Sequence, residues 1–295
     1  MNDHKQIAVL PGDGIGPEVI KPALQELPSE FDFVVLEASA DRYLETGELV
    51  TEEEIMTVAS SDALLFGAIG DPRVEDGVLE RGILLRLRKA LDLYVNLRPF
   101  DELGIVFVRE NTEGPYSGIG DRDAGIAHEV SVNTAAAIER CARFAFDLAM
   151  TRSRRLHLVH KSNVLVHAGG LWREVVDRVD RDFPEVETGY EHADAAAYQL
   201  VRDPQRFDVI LTDNLFGDLL SDLAAGLGDG LGKAASANLH PDRSTRPTRC
   251  LGLFEPVHGS APDIAGTGLA DPTAAIRAVQ MMLEAIEQDT ERIPS

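Results

Sequence analysis

The chain has no apolar run approaching the ~18 residues that a membrane span needs. Its opening residues, MNDHKQIAVL, hold no apolar region of the kind a secretory signal carries. Neither membrane insertion nor export is indicated, and the cytosol is the expected compartment. Cysteine is nearly missing. Cys141, in a helical pattern, and Cys250, ahead of an apolar strand, are too few for a disulfide framework and lack metal-ligand spacing, so both read as reduced and structural. No repeat period is visible. Basic charge is short too. Twenty-eight Lys and Arg, only five of them lysine, face 50 Asp and Glu, and the resulting net charge of −22 repels nucleic acid and anionic membrane alike.

What is present is an ordinary globular composition, 44% hydrophobic and 26% charged over 295 residues, enough to bury a proper core in two modest domains or one large one. Strand-length apolar runs recur as IAVL at 7, ALLFGAI at 63, GIVFVRE at 104, RRLHLVH at 154, FDVILT at 207 and CLGLFEPV at 250. Helical patterns lie between them, so the alternation predicts an α/β protein with a largely parallel sheet covered by helices. The clearest helices are 133–150, where Ile138, Cys141, Ala142, Ala145 and Ala149 recur behind a candidate cap at Asn133, and 171–180. The stretch 235–250, ASANLHPDRSTRPTRC, reads as a polar loop.

LPGDGIGPEV, residues 10–19, has the look of a nucleotide-binding turn and fails the test for one. Its glycines at 12, 14 and 16 give G-x-G-x-G, not G-x-G-x-x-G, and no acid stands at the end of a second strand in the expected context. A tight turn with close backbone approach is what such spacing supports.

Charged residues gather elsewhere. In FDVILTDNLFGDLLSDLAAGL, 207–227, Asp213 suits a helix cap, while Asp218 and Asp222 fall at i, i+4 on one helix face and repel each other. A solvated acidic face and a divalent-cation site both explain that pair, and the position just past a buried strand is the usual ligand crevice of an open α/β sheet. Arg88 and Arg98, in LLRLRKALDLYVNLRP, and Arg109, in FVRENTEGPYSG with Tyr116 seven residues on, could grip the carboxylates of a di-acid or serve as surface ion pairs. Lys161 lies between a strand and a helix, where a desolvated lysine can act as a base and an exposed one is only a loop residue.

The segments LPGDGIGPEV, GAIGDP, LRKALDLYVNLRP, VRENTEGPYSG, HKSNVLVHAGGLW, NLFGDLLSD and EPVHGSAPDIAGTGLADPTAA, in that order over about residues 6–285, resemble the isocitrate/isopropylmalate dehydrogenase family. The resemblance implies a two-domain α/β fold that is not Rossmann, with a mostly parallel central sheet. Residues 1–94 and 233–295 would form a discontinuous cofactor-side domain, and 95–232 a second domain for dimerisation, metal and substrate. It implies a homodimer that oxidises a 2-hydroxy di-acid with NAD, then releases CO2, with Mg2+ or Mn2+ on the substrate oxygens. Asp218 and Asp222 match the metal ligands, joined by Asp194 from the partner subunit. Arg88, Arg98 and Arg109 match the carboxylate-binding arginines, Lys161, also from the partner, the base at the hydroxyl, and Tyr116 the acid that protonates C3. Glu255, His258, Gly259, Ser260, Ala261, Asp263 and Asp271 match cofactor contacts. A carboxylate at Asp263 accepts from ribose hydroxyls and repels a 2′-phosphate, which favours NAD over NADP.

Substrate choice rests on ERGILLRLR. Leu84 and Leu85 would suit an isopropyl group and leave a third carboxylate unpaired, which implies 3-isopropylmalate and hence leucine biosynthesis, with D-malate, tartrate or isocitrate as alternatives. Against the family pattern, the segments between Pro99 and Val108 and between Gly118 and Glu129 are short. The usual terminal helices do not follow AIRAVQMMLEAIEQ before Ser295, so some apolar surface is expected to lie uncovered. Asp271 stands where many members carry Asn. A non-catalytic relative kept for binding is the alternative of a different class.

Overall fold

The computed structural model describes residues 5–291. In chain order the elements are β1 (Lys5–Gly12), α1 (Gly16–Ala23), β2 (Phe31–Val35), α2 (Ala40–Thr46), α3 (Glu52–Ser60), β3 (Ala63–Ala68), α4 (Leu85–Ala90), β4 (Val95–Phe100), β5 (Ile105–Glu110), β6 (Gly120–Asp123) and β7 (Ile126–Glu129). They continue with α5 (Ala135–Met150), β8 (Arg155–His160), α6 (Val166–Asp180), β9 (Glu187–His192), α7 (Ala193–Arg202), β10 (Val209–Thr212), α8 (Asn214–Leu227), β11 (Ala235–Leu239), β12 (Gly252–Pro256) and α9 (Thr273–Glu291). Two compact units result, one from the chain up to Leu93 together with the chain from Leu231 onward, the other from Tyr94–Gly230.

In the first unit the strands lie in the order β2-β1-β3-β12-β11, all parallel except the antiparallel β11–β12 pair. Every residue of β3 and the stretch Ile7–Leu10 of β1 are buried, the continuous apolar burial that parallel strands covered on both faces require. Leu10, Val58, Leu64, Phe66, Leu87 and Leu253 belong to one core cluster. A capping box between Thr51 and Glu54 opens α3. The edge strand β2 presents Phe33 and Val35 half exposed. The glycine turn after β1 is as tight as its spacing predicts. Gly12 and Gly14 are left-handed, at φ +73° and +56°, and a Cβ on Gly14 would sit 2.0 Å from the carbonyl oxygen of Ser260.

In the second unit the order is β4-β5-β10-β8-β9, again parallel apart from the β4–β5 hairpin. Helix α5 buries Ile138, Cys141, Ala142, Ala145 and Ala149, as their spacing predicts. Its cap is Thr134, whose side chain accepts from the Ala137 amide, and not Asn133. The Asn133 Oδ1 accepts instead from the Trp172 indole at 2.9 Å. β6 and β7 form a separate, exposed two-stranded hairpin.

The six apolar runs became β1, β3, β5, β8, β10 and β12. The supposed loop 235–250 begins with a strand: β11 is wholly buried although it reads ASANL, because its Ser236 and Asn238 side chains bond the Glu255 carboxylate. Helix α6 starts at Val166, earlier than the 171 its apolar pattern suggests. β4 and β9 carry too many polar residues to register as apolar runs, and β2, FDFVV, is a short, partly exposed edge strand interrupted by Asp32. Among the described residues no helix is long and apolar enough to cross a membrane.

Candidate active site

β10 ends at Thr212 and α8 begins at Asn214. Between them Asp213 is a helix cap, its Oδ1 accepting from the Phe216 amide at 2.8 Å. From that fixed start Asn214, Asp218, Ser221 and Asp222 line one face of α8, at the i, i+4, i+7 and i+8 spacing. Two arginines from the β4–β5 hairpin meet this face. Asn96 pairs with Arg109 across the hairpin, and because strand side chains alternate, Arg98 shares its side of the sheet with both.

Arg109, only 1% exposed, gives its Nε and one terminal nitrogen to Asn214 Oδ1 at 2.9 and 2.6 Å and the other to Asp218 Oδ1 at 2.5 Å. The room for its stem comes from Gly217, where a Cβ would lie 2.6 Å from Arg109 Cγ. Arg98 donates from Nε to Asn96 Oδ1 at 2.9 Å. Its terminal nitrogens donate to Ser221 Oγ at 2.9 Å, Asp222 Oδ1 at 3.0 Å and Asp218 Oδ1 at 3.3 Å. Tyr116 completes the cluster: its hydroxyl donates to Asp218 Oδ2 at 2.7 Å, and the Arg109 guanidinium stands 5.1 Å from its ring centre. Burial pushes the Asp222 carboxyl above its ordinary value, Arg98 pulls the other way, and the Asp218 charge adds to the rise. The two acids remain reachable, at 32% exposure for Asp218 and 49% for Asp222.

Lys161 and Asp194 form a second group. Lys161 follows β8 and Asp194 sits in the first turn of α7 after β9, two parallel neighbours whose last paired residues are His160 and His192. The ammonium meets Asp194 Oδ1 at 2.5 Å and holds that carboxyl below its ordinary value. Among the described residues of one chain no three His, Cys, Asp or Glu side chains converge as a metal site. Asp194 is thus engaged by Lys161, while Asp218 and Asp222 face the arginines.

In the first unit Arg88 is buried in α4 and donates to Glu255 Oε1 at 3.0 Å. The same oxygen accepts from Asn238 at 2.8 Å and Ser236 at 3.3 Å. Glu255, expected against a cofactor, is therefore already tied into a buried network. Leu84 packs on this unit's core and Leu85 is half-buried. Ser260 is buried, and its carbonyl accepts from the Ile15 amide in the glycine turn. His258 Nδ1 lies 3.0 Å from the Gly259 carbonyl, Ala261 is left-handed at φ +40°, and Asp263 is exposed. Asp271 folds back onto Thr273, accepting from its amide and hydroxyl at 2.9 and 2.6 Å, which lowers its carboxyl.

Sequence reading missed Asn214, Asn96, Ser221 and Asp13. The first three orient the site arginines, and the offsets from Arg98, Asp213 and Asp218 were the available signal. Asp13 is buried in the glycine turn and accepts from the amides of Ala40 and Gly70 at 2.7 and 3.0 Å. Burial raises its carboxyl.

A mostly parallel sheet in each unit, with buried arginines converging on reachable aspartates past a strand end, defines an α/β protein equipped to hold an anionic ligand. The chain belongs to the isocitrate/isopropylmalate dehydrogenase family, whose model matches residues 6–293. It is 51% identical over 300 residues to the Corynebacterium efficiens protein named 3-isopropylmalate dehydrogenase, covering 94% of this chain and 87% of that one. It is 51% identical over 304 residues to the protein of the same name from Beutenbergia cavernae, covering 94% and 86%. The crystal structure of isocitrate dehydrogenase from Methylococcus capsulatus is similar with a TM-score of 0.86 and 37% identity, covering 97% of this chain and 87% of that one.

Proposed function

We propose that the protein oxidatively decarboxylates 3-isopropylmalate to 2-oxoisocaproate with NAD and Mg2+ or Mn2+, a step of leucine biosynthesis, as a cytosolic homodimer. The observation that carries this reading is the meeting of Arg98, Arg109 and Tyr116 on Asp218 and Asp222. The donor set suits a hard dication: two carboxylates one helical turn apart, oxygen only and partly exposed. Asp194 of a second copy would complete it. Exposed Asp263 would meet the ribose hydroxyls.

When bound, NAD would supply the hydride acceptor, and a dication held by Asp218, Asp222 and the partner's Asp194 would supply Lewis acidity. The chain's own residues do the rest. Arg98 and Arg109 hold the substrate's carboxylates and fix which face of C2 is presented. Lys161 of the partner subunit, as its neutral amine, would accept the hydroxyl proton as the C2–H bond breaks, becoming the ammonium. Loss of CO2 leaves the bonding pair at C3, and the Tyr116 hydroxyl delivers the proton there. Leu84 and Leu85 would line the isopropyl end, where a carboxylate would lack a partner.

A di-acid dehydrogenase of other specificity is the second reading, favoured by the likeness to the solved isocitrate dehydrogenase. NADH formation by purified protein with Mn2+, compared across 3-isopropylmalate, D-malate, tartrate and isocitrate, decides between them. A rate highest with isocitrate would replace the first reading, and no rate with any of the four, in folded protein, would remove both.

A further inference from the structure

Four polar atoms crowd one phenol beside the Lys161–Asp194 pair. The Tyr190 hydroxyl lies 3.0 Å from the His160 carbonyl, 3.1 Å from the Ser162 amide, 2.7 Å from Ser162 Oγ and 2.9 Å from His192 Nδ1. A carbonyl only accepts and an amide only donates, so the first two bonds have fixed directions. Together they clasp the backbone on both sides of Lys161. The third adds to the hold on the Lys161 loop, and the fourth, His192, shares β9 with Tyr190 and stands two residues before Asp194.

The loop so held is short and closely backed. The amides of Val164 and Leu165 both turn back to the Lys161 carbonyl. Behind it α6 approaches so closely that a Cβ on Gly169 would fall 2.5 Å from Ser162 Cα. The ring of Tyr190 is itself pinned, with the Arg173 guanidinium 5.0 Å from its centre. Lys161 has a long, flexible side chain, so the direction in which its ammonium points is set by this backbone and by Asp194.

We propose that Tyr190 is the positioning residue of the Lys161–Asp194 pair, its hydroxyl holding the end of β8 against the end of β9 so that the lysine meets the carboxylate and, on the functional reading above, the substrate hydroxyl. The residue touches neither substrate nor cofactor in this role. It acts through backbone placement, so its loss affects turnover without loosening the arginine grip on the di-acid.

The test is Tyr190→Phe in the intact homodimer, which keeps the ring and removes only the hydroxyl. Two readouts are used: steady-state NADH formation, and the rate at which trinitrobenzenesulfonate labels Lys161 without substrate, mapped by peptide mass. With five lysines in the chain, the exposed Lys21 and Lys89 serve as internal controls. The expected result is a kcat about tenfold lower with the di-acid KM within about twofold, and Lys161 labelling several-fold faster with the controls unmoved. Ser162→Ala, which takes one partner from the phenol, should shift both readouts in the same direction by less, and serves if the Phe variant fails to fold. Unchanged Lys161 labelling in folded variants would overturn the proposal. Absence of NADH from the unsubstituted protein would instead count against the functional reading, and the labelling rate would still judge the positioning role.

Discussion

Each unit of the molecule sets arginine against carboxylate, and the two arrangements come out differently. Arg88 and Glu255 are both buried, at 7% and 9% exposure, and Glu255 is further bonded by Ser236 and Asn238. Arg98 and Arg109 are as deeply buried, at 8% and 1%, but their partners Asp218 and Asp222 stand 32% and 49% exposed. In the first, both cation and anion are withdrawn from solvent. In the second the cations are fixed and desolvated while the anions keep access to solvent, and therefore to a ligand. Burial of the carboxylate, more than the pairing itself, separates a structural ion pair from a candidate site.

Breaking the closed network should produce the largest stability effect. Arg88→Leu leaves Glu255 as a buried, uncompensated charge and should destabilise the fold by about 3–5 kcal/mol, read from the urea midpoint. The double change Arg88→Leu with Glu255→Leu should recover most of that loss. A single variant as stable as the parent would show that the network is wetter than its geometry implies.

The open cluster should respond in the opposite sense. Asp222→Asn is expected to lower kcat about a hundredfold, equivalent to ~2.7 kcal/mol at the transition state, and to raise the Mn2+ concentration needed for half-maximal rate. Its unfolding midpoint should move by less than ~1 kcal/mol, since the side chain is half exposed. Metal dependence identical to the parent would remove Asp222 from the ion's ligand set.

The smallest effect sharpens the comparison with a pair of intermediate burial. Burial raises the Glu54 carboxyl, but the bonds from Arg42 and from the Thr51 amide outweigh it and leave the group below its ordinary value. A lowered folded value makes the unfolded chain the better proton acceptor. The contribution is therefore full above the ordinary Glu range, about pH 4.3, and fades as pH falls through the lowered value. Thermal melts of the parent and Glu54→Gln should differ by a constant amount between about pH 6 and 7 and converge in acid. A gap that widens on acidification would reverse the sign of the argument.

Legibility in the sequence followed the physics of each element. Buried parallel strands need uninterrupted apolar residues, so β1, β3, β5, β8, β10 and β12 stood out as strings. β4 did not, because Asn96 and Arg98 interrupt its apolar pattern. β11 did not, because its polar side chains are satisfied by Glu255, a residue 17 to 19 positions away along the chain. The acids of α8 were visible through their i, i+4 spacing, and the arginines through their recurrence at 88, 98 and 109. That Arg109 would be fastened by Asn214, and that Gly217 would make room for it, depends on contacts more than 100 residues apart.

By itself the sequence determined the α/β class, the glycine turn, the cap at Asp213 and the roster of charged residues, since each is encoded in local spacing or residue chemistry. Only the tertiary structure decided which carboxylates are sealed and which remain reachable, because burial is a property of what other segments pack against a side chain. It also decided that one tyrosine hydroxyl would bridge the two sides of Lys161, for the strand ends that carry Lys161 and Asp194 become neighbours only when β8 and β9 pair.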